Sequence, residues 1–209
     1  MNDVLDNIRI VLVGTLYSGN VGSVCRAMAN MGLRNLVLAE PQLCDSWEDA
    51  VKMAVHATGI LDARRQTATF AEAVADCAFV VGTTARGGLY RQHVKTPREL
   101  APELLRLAEN GKVALVFGRE DKGLSNDEIG LCTHLIRIPV HPDYTSLNLS
   151  QAVLLCCYEL YGSLGTYEPP LEKSLPAVAV HKQKLSAMWR EMLLLIGFMK
   201  EDKADHMMQ

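Results

Sequence analysis

The chain has 209 residues, of which 49% are hydrophobic and 22% charged, with a formal net charge of -3. That length buries a full core and reads as one large domain or one domain plus an appendage of ordinary globular α/β or α character, which excludes a fibrous or disordered chain. The charge balance excludes a global polycation, so any nucleic-acid partner must be met by a local basic patch.

Six cysteines, at 25, 44, 77, 132, 156 and 157, form no C-x-x-C pair and have no His at ligand spacing. No metal site is expected, and free thiols in a cytoplasmic protein are. Met1 to Asn7 is polar and acidic, and the first apolar run is too short for a signal core. No segment is apolar for long enough to span a bilayer.

In chain order, short β-branched or apolar runs predict strands at IRIVLV (8–13), NLVLA (35–39), AFVVG (78–82), KVALVFG (112–118) and HLIRIPV (134–140). Helical patterns fall between and after them at Val21–Met31, Trp47–Val55, Phe70–Ala75, Pro97–Ala108 and Leu149–Tyr161. Strands alternating with helices imply a parallel sheet covered on both faces, here one α/β domain of five strands over residues 1–161. GSLGTYEPPLEKSLP follows and reads as a linker to residue 176. In the last segment, 177–209, the residues Leu185, Met188, Trp189, Met192, Leu195, Ile196 and Met199 make one stripe at three-and-four spacing. An amphipathic helix is expected there, docked either on its own domain or against another subunit.

The first strand runs into GTLYSGNVGSVCRAMANMG, residues 14–32. Its glycines match neither G-x-G-x-x-G nor the phosphate loop that ends in Lys. Asn20 is placed to cap a helix, and Arg26 follows among Val24, Cys25, Ala27, Met28 and Ala29, either as a surface residue reaching for solvent or as a functional one. VFGREDKGLSNDEI, residues 116–129, breaks from a buried strand into a charged loop at the strand's carboxyl end, where open α/β sheets bind ligands. Ser125 and Glu128 make an S-x-x-E capping box and are assigned to structure; Glu120 has no such task. GTTARG (82–87) follows another strand end. IPVHPDYTSLNLSQAV (138–153) carries a dense polar set into a helix start, where Asn148 and Gln151 fit an N-cap with its N3 partner, while Thr145 and Ser146 are left without a structural task.

Taken in order, N-x-G-S-V-x-R-A-x-x-x-x-G (20–32), V-F-G-R-E-x-x-G-L (116–124) and I-P-x-x-P-x-Y-x-S-L-N-L-S-x-A-V (138–153) resemble the three motifs of the SpoU, or TrmH, family of 2′-O-ribose RNA methyltransferases in the SPOUT class. IRIVLVGT, VVGTTAR, LVFGRE and YTSLNLS are most similar to the TrmJ-like tRNA methyltransferases, which methylate the first nucleotide of the anticodon loop. The resemblance implies a deep C-terminal trefoil knot and a homodimer. It also implies S-adenosylmethionine bound by Thr83, Thr84, Ala85, Gly118, Ile138, Thr145, Ser146 and Leu147, and catalytic roles for Asn20, Arg26, Glu120, Ser146 and Asn148.

The chemistry suits these types, because a ribose hydroxyl losing its proton needs a base or charge stabiliser and in-line geometry. Arg holds its proton well beyond physiological pH, so a contact from Arg26 to ribose and phosphate is preferred to a role as base. Arg86, Arg91, Lys95, Arg119 and Lys122 are available to phosphates or simply to solvent. In the TrmJ-like subgroup the tail continues into a further basic segment, whereas this sequence stops at Gln209, so the chain is expected to be naturally short or truncated. Two rivals stand beside this reading: the same chemistry on ribosomal RNA or another tRNA position, and a non-catalytic knotted RNA-binding dimer, against which the retained polar set argues.

Overall fold

The computed structural model describes residues 4–85, 94–169 and 177–200. The chain divides into two compact units, Met1–Tyr167 and Glu168–Gln209. In the first, a 3-10 turn (Val4–Asn7) leads through β1 (Ile8–Val13), α1 (Ser18–Asn30), β2 (Asn35–Ala39), α2 (Trp47–Ala54), α3 (Thr58–Asp62), β3 (Arg65–Thr67) and α4 (Phe70–Val74). It continues through β4 (Cys77–Thr83), α5 (Pro97–Ala108), β5 (Lys112–Phe117), α6 (Asn126–Gly130), β6 (His134–Ile136) and α7 (Leu149–Ser163). The strands form one parallel sheet in the order β3-β2-β1-β5-β4-β6. Among the described residues no helix is long and apolar enough to cross a membrane.

Among the described residues the sheet has six strands, not five. The extra one, β3, is the polar tripeptide Arg65–Thr67, held at the edge by pairing with Val37–Ala39. The expected strand 134–140 is shorter, because after Ile136 the chain leaves the sheet for the proline-broken loop.

Alternation along the buried strands sends successive side chains to opposite faces. Ile8, Ile10, Leu12, Leu36, Leu38, Val113, Leu115 and Phe117 pack with residues of α1, α2, α3, α5 and α7. Val11, Val13, Val37, Ala114 and Val116 pack on the other face with Phe70, Ala73 and Val74 of α4 and with Leu124. Burying each such Leu, Ile or Phe contributes about 1.5–3 kcal/mol, so the sheet, not the loops, holds the fold.

Arg9 interrupts this second core. It is buried, and its guanidinium donates to both oxygens of Asp76 at 2.6 and 3.0 Å and to the Ala73 carbonyl, while Lys112 reaches Asp76 at 2.7 Å. The cluster joins the amino ends of β1, β4 and β5. Hydrogen bonds from Arg9 and then Lys112 hold the Asp76 carboxyl well below the usual carboxylate range.

The site depends on where α1 lies, and α1 meets α2 at Gly22, where a Cβ would stand 2.0 Å from the Ala50 carbonyl oxygen. That is backbone, which cannot yield cheaply. In the second unit, α8 (Ala179–Leu195) carries Leu185, Met188, Trp189 and Met192, all exposed, whereas Ile196 and Met199 of the expected stripe lie beyond its end.

Two outcomes are expected. Gly22→Ala forces α1 and α2 apart and lowers stability by about 1–3 kcal/mol in urea denaturation, the usual cost of overpacking; an unchanged midpoint would refute the close approach. Because the Asp76 pKa is depressed by folding, its contribution is complete above the unfolded value of about 4 and is lost as pH falls below it. The melting-temperature gap between wild type and Asp76→Asn should therefore be widest near neutrality and close in acid. A gap independent of pH would show that the ion pair contributes nothing.

Candidate functional site

Four loops leave the carboxyl edge of the sheet, after β1, β4, β5 and β6, and they converge. The loop after β1 is pinned from outside. Gln42 N–H donates to the Thr15 carbonyl at 2.9 Å, Cys44 N–H to the Leu16 carbonyl at 2.8 Å, and Ser18 N–H to the Asp45 carboxylate at 2.7 Å. The loop after β5 turns tightly, with Gly123 at φ +67° donating to the Arg119 carbonyl at 2.8 Å, and with Gly118 so close to it that a Cβ would lie 2.2 Å from the Gly123 carbonyl carbon. Glycine suits both positions for different reasons, a left-handed φ at Gly123 and a lack of room for a Cβ at Gly118.

This turn delivers Glu120 to the loop after β1. Its carboxylate accepts hydrogen bonds from the Thr15 hydroxyl at 3.0 Å, the Leu16 N–H at 3.1 Å and the Asn20 side-chain amide at 2.9 Å. The Asn20 amide oxygen accepts from Asn148 Nδ2 at 3.0 Å, and Asn148 Oδ1 accepts from the Ser150 N–H at 2.9 Å and the Ser150 hydroxyl at 2.7 Å. A carboxylate only accepts and a backbone N–H only donates, so the two ends of the chain dictate which way both amides point.

Asn148 is thus the N-cap of α7 and a member of this network at once. The expected reciprocal partner is corrected: Gln151 is exposed, and the cap bond runs to Ser150. Asn20 does not cap α1. That helix begins at Ser18, two residues ahead of Asn20, and the Asp45 carboxylate takes its first N–H. Arg119 is paired within the fold: its Nη1 donates to both oxygens of Glu128 at 2.9 and 3.2 Å in a largely buried pair. Glu128 also completes the capping box with Ser125. Lys95 pairs with Glu103 at 2.9 Å, while Arg86 and Arg91 lie outside the described residues.

Two clefts open around this network. The first, of about 320 Å³, is lined by Thr83, Thr84, Ala85, Gly118, Ile138, Thr145, Ser146 and Leu147, with Phe117, Leu124, Leu149 and the 119–123 turn completing it. The Thr83 hydroxyl is committed to the Val116 carbonyl at 3.0 Å and ties β4 to β5 at the rim. The second cleft, wider and more open, is lined by Tyr17, Gly19, Asn20, Ser23, Asp45, Asp49, Lys52, Met53, Tyr144, Asn148 and Ser150. Glu120, Ser146, Leu147 and Leu149 line both.

Of the five residues expected to be catalytic, Asn20, Glu120, Ser146 and Asn148 come together here. Arg26 does not. It is exposed on α1, roughly 1.7 turns beyond Asn20 and hence on another face, and lines neither cleft. Thr15 and the aromatic rim, Tyr17 and Tyr144, were missed by sequence reasoning. Thr15 sits in a loop whose depth is set by residues 42–46, and an exposed Tyr carries no periodic signal.

Burial pushes the thiols of Cys25, Cys132 and Cys157 up to about 12, which leaves them protonated and unreactive. All six cysteines are unpaired. Among the described residues no cluster of His, Cys, Asp or Glu is fit to hold a metal ion.

The first cleft lies at the carboxyl edge of a parallel sheet, beside the strands where chain order reverses, which is where open α/β sheets bind ligands. The structure of a probable methylase family protein from Haemophilus influenzae Rd KW20 is similar in fold, with a TM-score of 0.72 and 39% identity over 94% of this chain and 83% of that one. Residues 7–158 match the SpoU rRNA Methylase family, and the chain belongs to that family. It is 40% identical over 217 residues, 98% of this chain and 84% of the relative, to the tRNA (cytidine/uridine/adenosine-2′-O-)-methyltransferase TrmJ of Pseudomonas aeruginosa (strain UCBPP-PA14). It is also 45% identical over 157 residues to an uncharacterized tRNA/rRNA methyltransferase of Haemophilus influenzae, a match that spans 75% of this chain and 64% of that relative's length.

The relay has a direct test. Asn148→Asp retains an equally good N-cap but sets a carboxylate oxygen against the Asn20 amide oxygen. A loss of about 1 kcal/mol in urea denaturation is expected, comparable to one hydrogen bond. Wild-type stability would mean that the Asn20–Asn148 bond carries no weight.

Proposed function

We propose that the chain is an S-adenosylmethionine-dependent 2′-O-ribose methyltransferase acting on tRNA at the first nucleotide of the anticodon loop. The observation that carries this reading is the convergence of all eight expected cofactor residues on one cleft, which adjoins a second through Glu120, Ser146 and Leu147. The similarity to a TrmJ over nearly the whole chain favours tRNA.

The first cleft suits such a cofactor. About 320 Å³ is the size of a small-ligand site, with an apolar lining from Phe117, Leu124, Ile138 and Leu147 and a few polar groups from Thr84, Thr145 and Ser146. Gly118 supplies a wall without a side chain, against which a ligand can lie close to the backbone. When bound, S-adenosylmethionine supplies an electrophilic methyl group on a sulfonium, so that the ribose oxygen forms a bond to the methyl carbon as the carbon–sulfur bond breaks and the hydroxyl proton departs.

This chain's residues orient that oxygen and stabilise its charge. Asn20 and Asn148 each spend one side-chain N–H inside the relay, which leaves the second N–H of each amide for an oxygen in the adjoining cleft. Donors fixed before the reaction stabilise developing charge at little reorganisation cost. Glu120, with three donors already upon it, is a positioning residue in this scheme and not a base.

The proposal includes a homodimer, supported by Arg26: exposed and outside both clefts of its own chain, it is free to meet the ribose and phosphate bound to a second copy. It also includes the trefoil knot, supported by the pairing of β6 with β4, not with its sequence neighbour β5, and by the return of α7 onto α1 and α5. The enzyme domain is taken as 1–161, followed by a linker to 176 and a helical extension. A cytoplasmic location accords with six unpaired cysteines and a tRNA substrate.

The test is incubation of the full chain with labelled S-adenosylmethionine and separate tRNA and ribosomal RNA pools, followed by mapping of the modified nucleotide. Label at the tRNA anticodon loop is expected, and label only in ribosomal RNA would overturn the substrate. Arg26→Ala should lower methyl transfer by about a hundredfold or more while S-adenosylmethionine affinity measured by calorimetry is unchanged. Undiminished transfer would remove Arg26 from the reaction.

A further inference from the structure

The second cleft has features that the reaction described above does not use. Tyr17 and Tyr144 stand on it, 51% and 79% exposed, and neither side chain hydrogen-bonds to any described residue. An exposed tyrosine alone is unremarked surface. Two on the rim of one cleft, which opens into the cofactor cleft at Glu120 and Ser146, present two unpartnered aromatic faces beside the reacting position.

The floor is also unusual. Gly19 lies in the first turn of α1, where its φ is not positive and where a Cβ would meet nothing nearer than Met53 Cγ at 3.8 Å. Neither backbone conformation nor packing against the described residues requires glycine at this helical position, where it is a poor helix former. The space it leaves belongs to the cleft.

Charge selects the occupant. Among the described residues that line it, the cleft carries Asp45, Asp49 and Glu120 against one cation, Lys52, which is already paired with Asp49 at 3.2 Å. Phosphates seek free Lys and Arg, so a wall of this sign repels a nucleic-acid backbone. An uncharged planar group is repelled by none of these, and every nucleobase offers a π-face to an aromatic ring.

We infer that the second cleft receives the base of the target nucleotide, turned out of its stack and packed against the rings of Tyr17 and Tyr144 over Gly19, with its ribose at Asn20, Glu120 and Asn148. The two tyrosines are positioning residues, not catalytic ones. Because stacking tolerates any base, this mode of capture positions the sugar without choosing sharply among nucleobases. The inference rests on the proposed methyl transfer to RNA and adds to it where the base lies.

The experiment uses the full chain, labelled S-adenosylmethionine and a tRNA transcript. Tyr17→Ala and Tyr144→Ala should each raise KM for tRNA by about fivefold to a hundredfold, the range for one lost stacking contact, with S-adenosylmethionine affinity within about twofold of wild type. Tyr→Phe at either position should restore KM, because the ring and not the hydroxyl is at work. Gly19→Leu fills the floor and should raise KM for tRNA while preserving or raising the melting temperature, a combination that a structural role for Gly19 would not produce.

An active wild type with unmoved KM in both Ala variants, or Phe variants as poor as Ala, overturns the inference alone. A wild type that transfers no methyl group to any RNA overturns the proposed activity and this inference with it.

Discussion

The Glu120 carboxylate is the point at which three otherwise separate loops become one object. Its two oxygens bind Thr15 and Leu16 of the loop after β1 and Asn20 in the first turn of α1, and through Asn20 the constraint reaches Asn148 and the first turn of α7. Hydrogen bonds to a charged group contribute about 1.5–3 kcal/mol each where water is kept away, against about 0–1 kcal/mol for an exposed ion pair. Thr15 is fully buried and Glu120 half-buried, so these bonds fall nearer the first figure than do the surface pairs Lys95–Glu103 and Lys52–Asp49. Both clefts share Glu120 as a wall, and a change there alters the shape of each.

That sharing also bears on how the proposed reaction meets its substrate. Net charge gives no long-range attraction for a polyanion, and inside the second cleft the acids outnumber the single paired lysine. Arg119, which lines the first cleft, is paired through Nη1 with Glu128 and braces the turn. Its packing against Gly14, where a Cβ would sit 2.6 Å from Nε, ties that turn to the end of β1. Among the described residues, Arg119 and Lys52 are thus engaged in ion pairs within the fold.

The sequence was legible wherever a local pattern sufficed. Residues 8–13 and 35–39 are unbroken or nearly unbroken apolar runs, and Pro97–Ala108 opens with a complete Thr96–Glu99 capping box, so their bounds need no tertiary information. Arg65–Thr67 had no such signature, since an edge strand of three polar residues exists only because β2 offers its backbone. Asn20 was misread as a cap for a related reason: the Asp45 that takes the first N–H of α1 comes from 25 residues further along the sequence. The polar set around Glu120 was legible as a set because a known family carries it, whereas the wiring between its members lies in contacts more than 100 residues apart in sequence for Thr15, Leu16 and Asn148.

Asn148 is a helix cap and a member of the polar relay at once, and the first role serves the second. Its side chain has one acceptor oxygen and two N–H donors, and the oxygen is spent on Ser150 while one N–H is spent on Asn20. The cap bond fixes the amide's rotation, and the bond to Asn20 then fixes where the remaining N–H can go. An Asn that served the site without capping would be free to turn, and a cap such as Ser or Asp has no second donor to give. Capping the most apolar helix of the fold is thus what makes this side chain rigid, and a donor held rigid before charge develops is the one that is useful to a reaction.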